Sequence, residues 1–134
     1  MKAIFYLAIL FFSVISCSKN YDVKTTLPNV AGKWKQIEFY NSNGGSNPSW
    51  NVVANGYTIE FFSNGTFSSS KLTDCSTGKY VVSTTNEISM NYNCVSFTNN
   101  YVEKIETITN SQLILKPNYL NCDEGCSVKF ERIN

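Results

Sequence analysis

Five cysteines and no histidine define the chemistry that this sequence of 134 residues can hold. Cys17 stands near the start, and Cys75, Cys94, Cys122 and Cys126 fall in the second half. Without histidine, the commonest general base and the commonest zinc ligand are both missing. Asp74, Asp123 and Glu124 lie beside the later cysteines, but no nucleophile–base spacing accompanies them, and acidic residues in polar links are mostly solvated turns. The residues therefore point away from an enzyme, and no cofactor is expected. For the four later cysteines two chemistries are open, disulfide pairing or a zinc site of four thiolates. The paired Cys-x-x-Cys spacing of the second is lacking, so no metal is expected.

Cys17 has a different setting. Met1-Lys2 gives a short positive start, and Ala3 to Ile15 is an apolar run broken only by Ser13. That run has the length of a signal-peptide core and is too short to span a bilayer comfortably. It ends in Val14-Ile15-Ser16-Cys17, which resembles the bacterial lipobox: a branched apolar residue, a small residue before the cut, then cysteine. The resemblance implies a diacylglyceryl group on the Cys17 thiol, cleavage before it, and attachment to a membrane through that lipid. Ser18 follows where enterobacterial lipoproteins retained at the inner membrane favour aspartate, so the resemblance implies the outer membrane. Three segments result: a lipoprotein signal peptide over 1–16, a lipidated N-terminus and flexible tether over 17–31, and one folded domain over 32–134.

The chain is 43% apolar and 16% charged, the balance of a globular domain with a single core. Its net charge is +1, and Lys2 alone accounts for the excess, so no electrostatic grip on nucleic acid is expected. From Gly32 onward, short runs of β-branched and aromatic residues alternate with asparagine, glycine and serine, and no window of helical length shows the 3.6 period. Eight strands are predicted, over 33–41, 56–63, 66–72, 77–83, 87–93, 100–109, 112–117 and 127–133. Asn64-Gly65, Thr84-Thr85-Asn86 and Asn110-Ser111 read as tight hairpin links, whereas 42–55, 73–76, 94–99 and 118–126 are longer. In an up-and-down meander, successive links fall on opposite ends. The predicted fold is thus an all-β, eight-stranded antiparallel up-and-down barrel with four long loops at an open mouth and three tight turns at a pinched base.

Cys75 and Cys94 flank the hairpin centred on Thr84-Thr85, and a symmetrical register would bring them face to face at the rim. In an exported chain this favours a Cys75–Cys94 disulfide, with Cys122 closing a small loop to Cys126, although three pairings are open in principle.

Gly32-Lys33-Trp34, opening the first strand, matches the Gly-x-Trp motif of lipocalins, and Arg132 lies near the end of the last strand. Glu60-Phe61-Phe62-Ser63-Asn64-Gly65-Thr66-Phe67 looks like the second hairpin of bacterial lipocalin-like lipoproteins. The chain from 32 to 134 thus resembles that family, although it is shorter than full-sized lipocalins and shows no helix after the barrel. The resemblance implies a lipocalin-like barrel whose base is closed by Gly32, Trp34 and Arg132, the guanidinium stacking on the indole.

Tyr57, Tyr92 and Tyr101 fall at strand ends beside the long loops, where an apolar ring with a polar tip suits the rim of a pocket. Trp50, in the long first link, fits a lid, an exposed contact, or a residue tucked against the outside of the barrel. Two faces remain open. Tyr101 shares parity with Glu103, and the first strand sets Gln36 and Glu38 on the face of Trp34 with Ile37 and Phe39 opposite, which calls for a bulge or a different assignment. The expected function is binding of a small apolar or amphipathic ligand at the mouth. The alternative is a filled barrel whose rim loops bind a protein partner, as hydrolase-inhibiting β-barrel lipoproteins do.

Overall fold

The computed structural model describes residues 29–42, 47–94, 100–118 and 125–134. The signal peptide, Cys17, most of the tether and Cys122 lie outside the described residues. Nine strands form: β1 (Gly32–Asn41), β2 (Ser49–Val52), β3 (Thr58–Phe61), β4 (Thr66–Ser69), β5 (Thr77–Val82), β6 (Glu87–Tyr92), β7 (Tyr101–Ile108), β8 (Gln112–Pro117) and β9 (Val128–Ile133). Strands β3 to β9 pair antiparallel with their chain neighbours, β1 pairs β3, and β1 also pairs β9 along Lys33–Phe39. The ring therefore closes as an eight-stranded up-and-down barrel, with β2 as an extra strand on the upper half of β1.

Local chemistry sets the three base turns. At the first, Gly65 has φ +82°, a backbone open to glycine, and the Asn64 side chain accepts from the Thr66 amide at 3.1 Å. At the second, Asn86 takes φ +58°, a conformation asparagine tolerates better than most residues. At the third, Thr109 Oγ1 accepts from the Gln112 amide at 2.9 Å. All four longer links begin and end at the opposite rim, as the alternation of link lengths implies.

The inward face carries Trp34, Ile59, Phe61, Phe67, Ile88, Met90, Ile105, Leu113, Leu115 and Phe130, all buried. They fill the lower barrel. Rings in edge contact run up one side, from Tyr80 against Phe61 (4.9 Å) to Phe67 against Tyr92 (4.9 Å) and Tyr92 against Tyr101 (5.5 Å). Such pairs add to the burial of their area because ring edges are positive and faces negative.

Two bulges keep this face continuous. Between Gln36 and Glu38 the β1–β9 register shifts, leaving Ile37 as the extra residue. Glu38 then turns outward to pair with Lys129, and Phe39 joins the inward face opposite Val128. The parity that grouped Glu38 with Trp34 is thereby corrected, and a bulge is the reason. A second shift between Ile105 and Thr107 lets both Ile105 and Ile108 face the core.

The first link also differs from the sequence reading. Of the span 42–55 expected to be loop, Ser49–Val52 pairs as β2 with Glu38–Asn41. Those β1 residues extend beyond the part that pairs with β3, so their outer backbone groups are available to a returning strand. This places Trp50 on the outer wall. Its ring packs on Tyr40 at 5.1 Å, with the Lys129 ammonium 4.2 Å above it. Trp50, expected to border the mouth, thus stands on the outer wall instead, where it is packed against Tyr40 and still exposed.

At the base, Trp34 is fully buried and its indole N–H donates to the Val30 carbonyl at 2.8 Å. Arg132 lies over the ring at 4.0 Å, and its guanidinium donates to the carbonyls of Ala31 (2.8 Å) and Asn110 (2.6 Å). Val30 is itself buried. The last residues of the segment read as a tether therefore belong to the barrel, because the indole and guanidinium donors need acceptors there.

The glycine of Gly-x-Trp has its own reason. Gly32 holds φ +129°, and a Cβ there would fall 1.9 Å from Arg132 Nη1. Gly32→Ala is expected to push the guanidinium off Trp34 and to lower stability by about 1–3 kcal/mol from backbone strain, read as a drop in the urea unfolding midpoint. An unchanged midpoint would show that the glycine is not required.

Candidate functional site

The three tyrosines singled out from the sequence meet at the mouth. Tyr57 precedes β3 and stands edge-on to Phe130 at 5.5 Å, Tyr92 ends β6, and Tyr101 opens β7 against Tyr92. Tyr92 is buried, whereas Tyr57 and Tyr101 are half-buried.

Glu103 and Lys71 join them, and neither was singled out beforehand. The register of β6 with β7 sets Glu103 opposite Ile88, so Glu103 faces inward on the same side of β7 as Tyr101 and is only 3% exposed. The open parity of β7 is thus resolved with tyrosine and glutamate both inside. Lys71 follows β4. Its amide donates to the buried Ser69 hydroxyl at 3.1 Å, while the Thr58 carbonyl accepts from the Ser70 amide at 2.9 Å. These bonds fix the start of the loop so that the Lys71 ammonium stands 5.4 Å from the centre of the Tyr57 ring and 5.7 Å from that of Tyr101.

Tyr57, Lys71 and Glu103 border a cavity of about 190 Å³. Gln36, Lys71 and Glu103 give it polar groups, and Phe39, Tyr57 and Val128 give it apolar walls. A wider depression of about 440 Å³ occupies the outer wall, lined chiefly by Lys33, Thr58, Glu60 and hydroxyl side chains such as Ser68 and Thr73. It has no aromatic wall and no buried charge, the features that fix a bound molecule, so the mouth is the better candidate site.

Burial in the barrel pushes the Glu103 carboxyl above its ordinary value, and the positive charge of Lys71 partly offsets this. Burial is also the main reason that the Tyr92 hydroxyl is raised, with Glu103 and Tyr101 adding to it and a hydrogen bond with Ser69 opposing it. The sign of the Glu103 shift fixes its effect on stability. Below the ordinary value near 4.5, folded and unfolded chains are both protonated and the site is neutral in effect. As pH rises from there through the raised folded value, the folded chain holds the proton longer, and stability is lost. Glu103→Gln should therefore unfold at higher urea than the parent at pH 8 and at nearly the same urea at pH 4. A difference equal at both pH values would contradict this.

The cysteines divide. Cys75 and Cys94 form a disulfide with their Cα atoms 5.7 Å apart, which removes both from any four-thiolate zinc site. Cys126 is disulfide-bonded and also borders the mouth cavity. Its predicted partner Cys122 lies outside the described residues. Among the described residues, no cluster of three or more histidine, cysteine or acidic side chains could hold a metal ion.

No family model, curated protein or solved structure matches the chain.

The signal for Glu103 was present in the sequence. In Tyr-Val-Glu-Lys-Ile-Glu, alternation from Ile105 puts Glu103 and Tyr101 on the core side. Lys71 fell near the end of the strand predicted over 66–72, where alternation from the buried Phe67 and Ser69 gives it inward parity, although the observed strand stops at Ser69.

Proposed function

We propose that this chain is a lipocalin-like lipoprotein of the cell envelope, anchored in the outer membrane through a lipid on Cys17, whose barrel binds a small amphipathic molecule at its mouth. The observation that carries the reading is Glu103, an acid buried under the rim and bordering a cavity. A charge taken out of water weakens a fold, and such groups gather where proteins bind or react. The tyrosine ring around it supplies apolar area with polar tips. A cavity of about 190 Å³ is below the range of about 300–1,000 Å³ usual for drug-sized ligands. Combined with the filled lower barrel, it favours a small guest over a long apolar one. The Gly32, Trp34 and Arg132 base supports the resemblance to lipocalins, and the Val14-Ile15-Ser16-Cys17 sequence supports the anchor.

Native mass spectrometry of the protein after gentle extraction tests the binder. A co-purified species of small mass that is lost on Glu103→Gln is the expected result, and a bare polypeptide mass would count heavily against it. The anchor is tested separately: Cys17→Ala is expected to abolish incorporation of labelled fatty acid and to release the protein from the membrane fraction. Retention of both label and membrane association by that variant would refute lipidation at Cys17.

A second reading has its own observation. Trp50 and Val52 on β2 are exposed, Val52 at 82%, and the lower barrel is filled, which suits a barrel that meets a protein partner by its rim and outer edge. Glu103 has no part in that reading, so loss of function on Trp50→Ala and Val52→Ser with Glu103→Gln silent would favour it.

A further inference from the structure

Lys71 and Glu103 are unlike the ion pair elsewhere on the barrel. Glu38 and Lys129 touch directly on the outer wall. Lys71 instead holds its ammonium over the faces of Tyr57 and Tyr101 and acts on Glu103 through space. It is an exposed residue of a rim link, on a flexible four-carbon stem, whereas Glu103 is fixed in β7 and buried. A positive group thus sits on two aromatic faces beside a buried carboxyl group, but it arrives on a side chain that can return to water. The adjoining cavity has Phe39 and Val128 as apolar walls.

Resting on the binder reading above, we infer that the guest of the mouth is a small organic ammonium ion with an apolar tail, and that the Lys71 ammonium is a tethered stand-in which such a guest displaces. The arrangement matches each part of that molecule. Ring faces attract a cation within about 6 Å, and more strongly where water is excluded. The Glu103 carboxylate would accept a charge-assisted hydrogen bond from the guest's N–H. The tail would lie against Phe39 and Val128, where the apolar area gained is what lets a free ammonium compete with one already tethered in place. An anionic guest would have to bring its charge beside Glu103, and a neutral one would leave the carboxylate without a counter-charge once Lys71 moved aside.

The test uses three probes of one length, pentylammonium, 1-pentanol and pentanoate, titrated into the full chain and followed by chemical shifts of the Val128 methyl groups. Pentylammonium is expected to bind about tenfold more tightly than 1-pentanol, and pentanoate more weakly than either. Lys71→Met removes the competitor and is expected to tighten pentylammonium about tenfold, leaving 1-pentanol within about twofold. Glu103→Gln keeps the shape and should erase the preference for the amine while 1-pentanol still binds, a change of selectivity that a merely structural role would not produce. Binding of 1-pentanol or pentanoate as tightly as the amine would overturn the ammonium assignment and leave a binder of another class. Weakening of the amine by Lys71→Met would overturn the stand-in. Failure of all three probes to move Val128 would overturn the ammonium guest, and, together with a bare mass in the extraction experiment, the mouth as a binding site altogether.

Discussion

Trp34→Ala will lower the stability of the barrel by about 3–5 kcal/mol, the range for deleting a buried large aromatic side chain. Three losses coincide at this position. The indole is fully buried at the base, so its removal leaves a cavity that a closed ring of strands can collapse only in part. The Val30 carbonyl loses its donor, and Val30 is itself buried. Arg132 loses the ring beneath its guanidinium while still bonded to Ala31 and Asn110. Because a small domain is stable by only about 5–15 kcal/mol, such a loss brings it close to unfolding at ordinary temperature. Urea denaturation followed by circular dichroism reads the effect, and a loss under about 1 kcal/mol would show that the base is closed by other groups. Arg132→Met provides a comparison. It keeps apolar cover over the indole but removes two donors, and should cost about 1–3 kcal/mol because the carbonyls it served are left with fewer partners.

Replacing both Cys75 and Cys94 with serine will cost about 3 kcal/mol. The disulfide joins residues separated by 19 positions, and in the chain-entropy model a crosslink of that span removes about that much freedom from the unfolded chain. The bond ties the link before β5 to the link after β6, at the mouth end of the hairpin. The same pair of substitutions should therefore raise amide exchange more in Ser69–Thr77 than in the base turn at Thr84–Asn86, since local opening follows the loss of local constraint. Equal urea midpoints for the parent and the double variant would contradict the stabilising role. So would the finding that reducing agent destabilises both proteins alike, because the double variant lacks this bond.

Much of the barrel could be read from the sequence because its signals are local. Asn64-Gly65 specifies a tight turn whatever lies elsewhere, and the alternation of Ile88, Met90 and Tyr92 specifies one buried face. With two hairpin centres known, link lengths alone place the long loops at one rim. Near-symmetry about Thr84-Thr85 is sufficient to bring Cys75 near Cys94, and the observed register, from Gly78 opposite Tyr92 to Val82 opposite Ile88, is centred half a residue away, on Thr85. The three tyrosines of the mouth could be named because each falls at or beside a predicted strand end next to a long link, although the face of Tyr101 stayed open.

What escaped depends on neighbours. The strand Ser49–Val52 is short and exposed along its whole length, so it has no buried face to reveal it, and it exists because the upper half of β1 extends past β3. Trp50 could not be placed until the bulge at Ile37 turned Tyr40 outward, onto the side that Lys129 of β9 already faces. The face shared by Tyr101 and Glu103 stayed open because alternation puts the acid inside while its charge favours water, and local sequence cannot show that water is excluded. Lys71 reaches the mouth only because Ser69 and Thr58, on two different strands, hold the backbone around it.

The β class, the bounds of eight strands to within a few residues, the order of short and long links and the cysteines that pair across one hairpin were all legible before folding, since each follows from residues close together in the chain. Closure of the ring was needed to show that β1 meets β9, that a carboxyl group and an ammonium share the mouth with three tyrosines, and that the tryptophan of the first link lies outside. Those facts arise from ring closure and from two bulges, which set the direction of side chains far apart in sequence. Direction inside a closed barrel is a collective property, because a one-residue slip at one pair turns every later side chain to the other face.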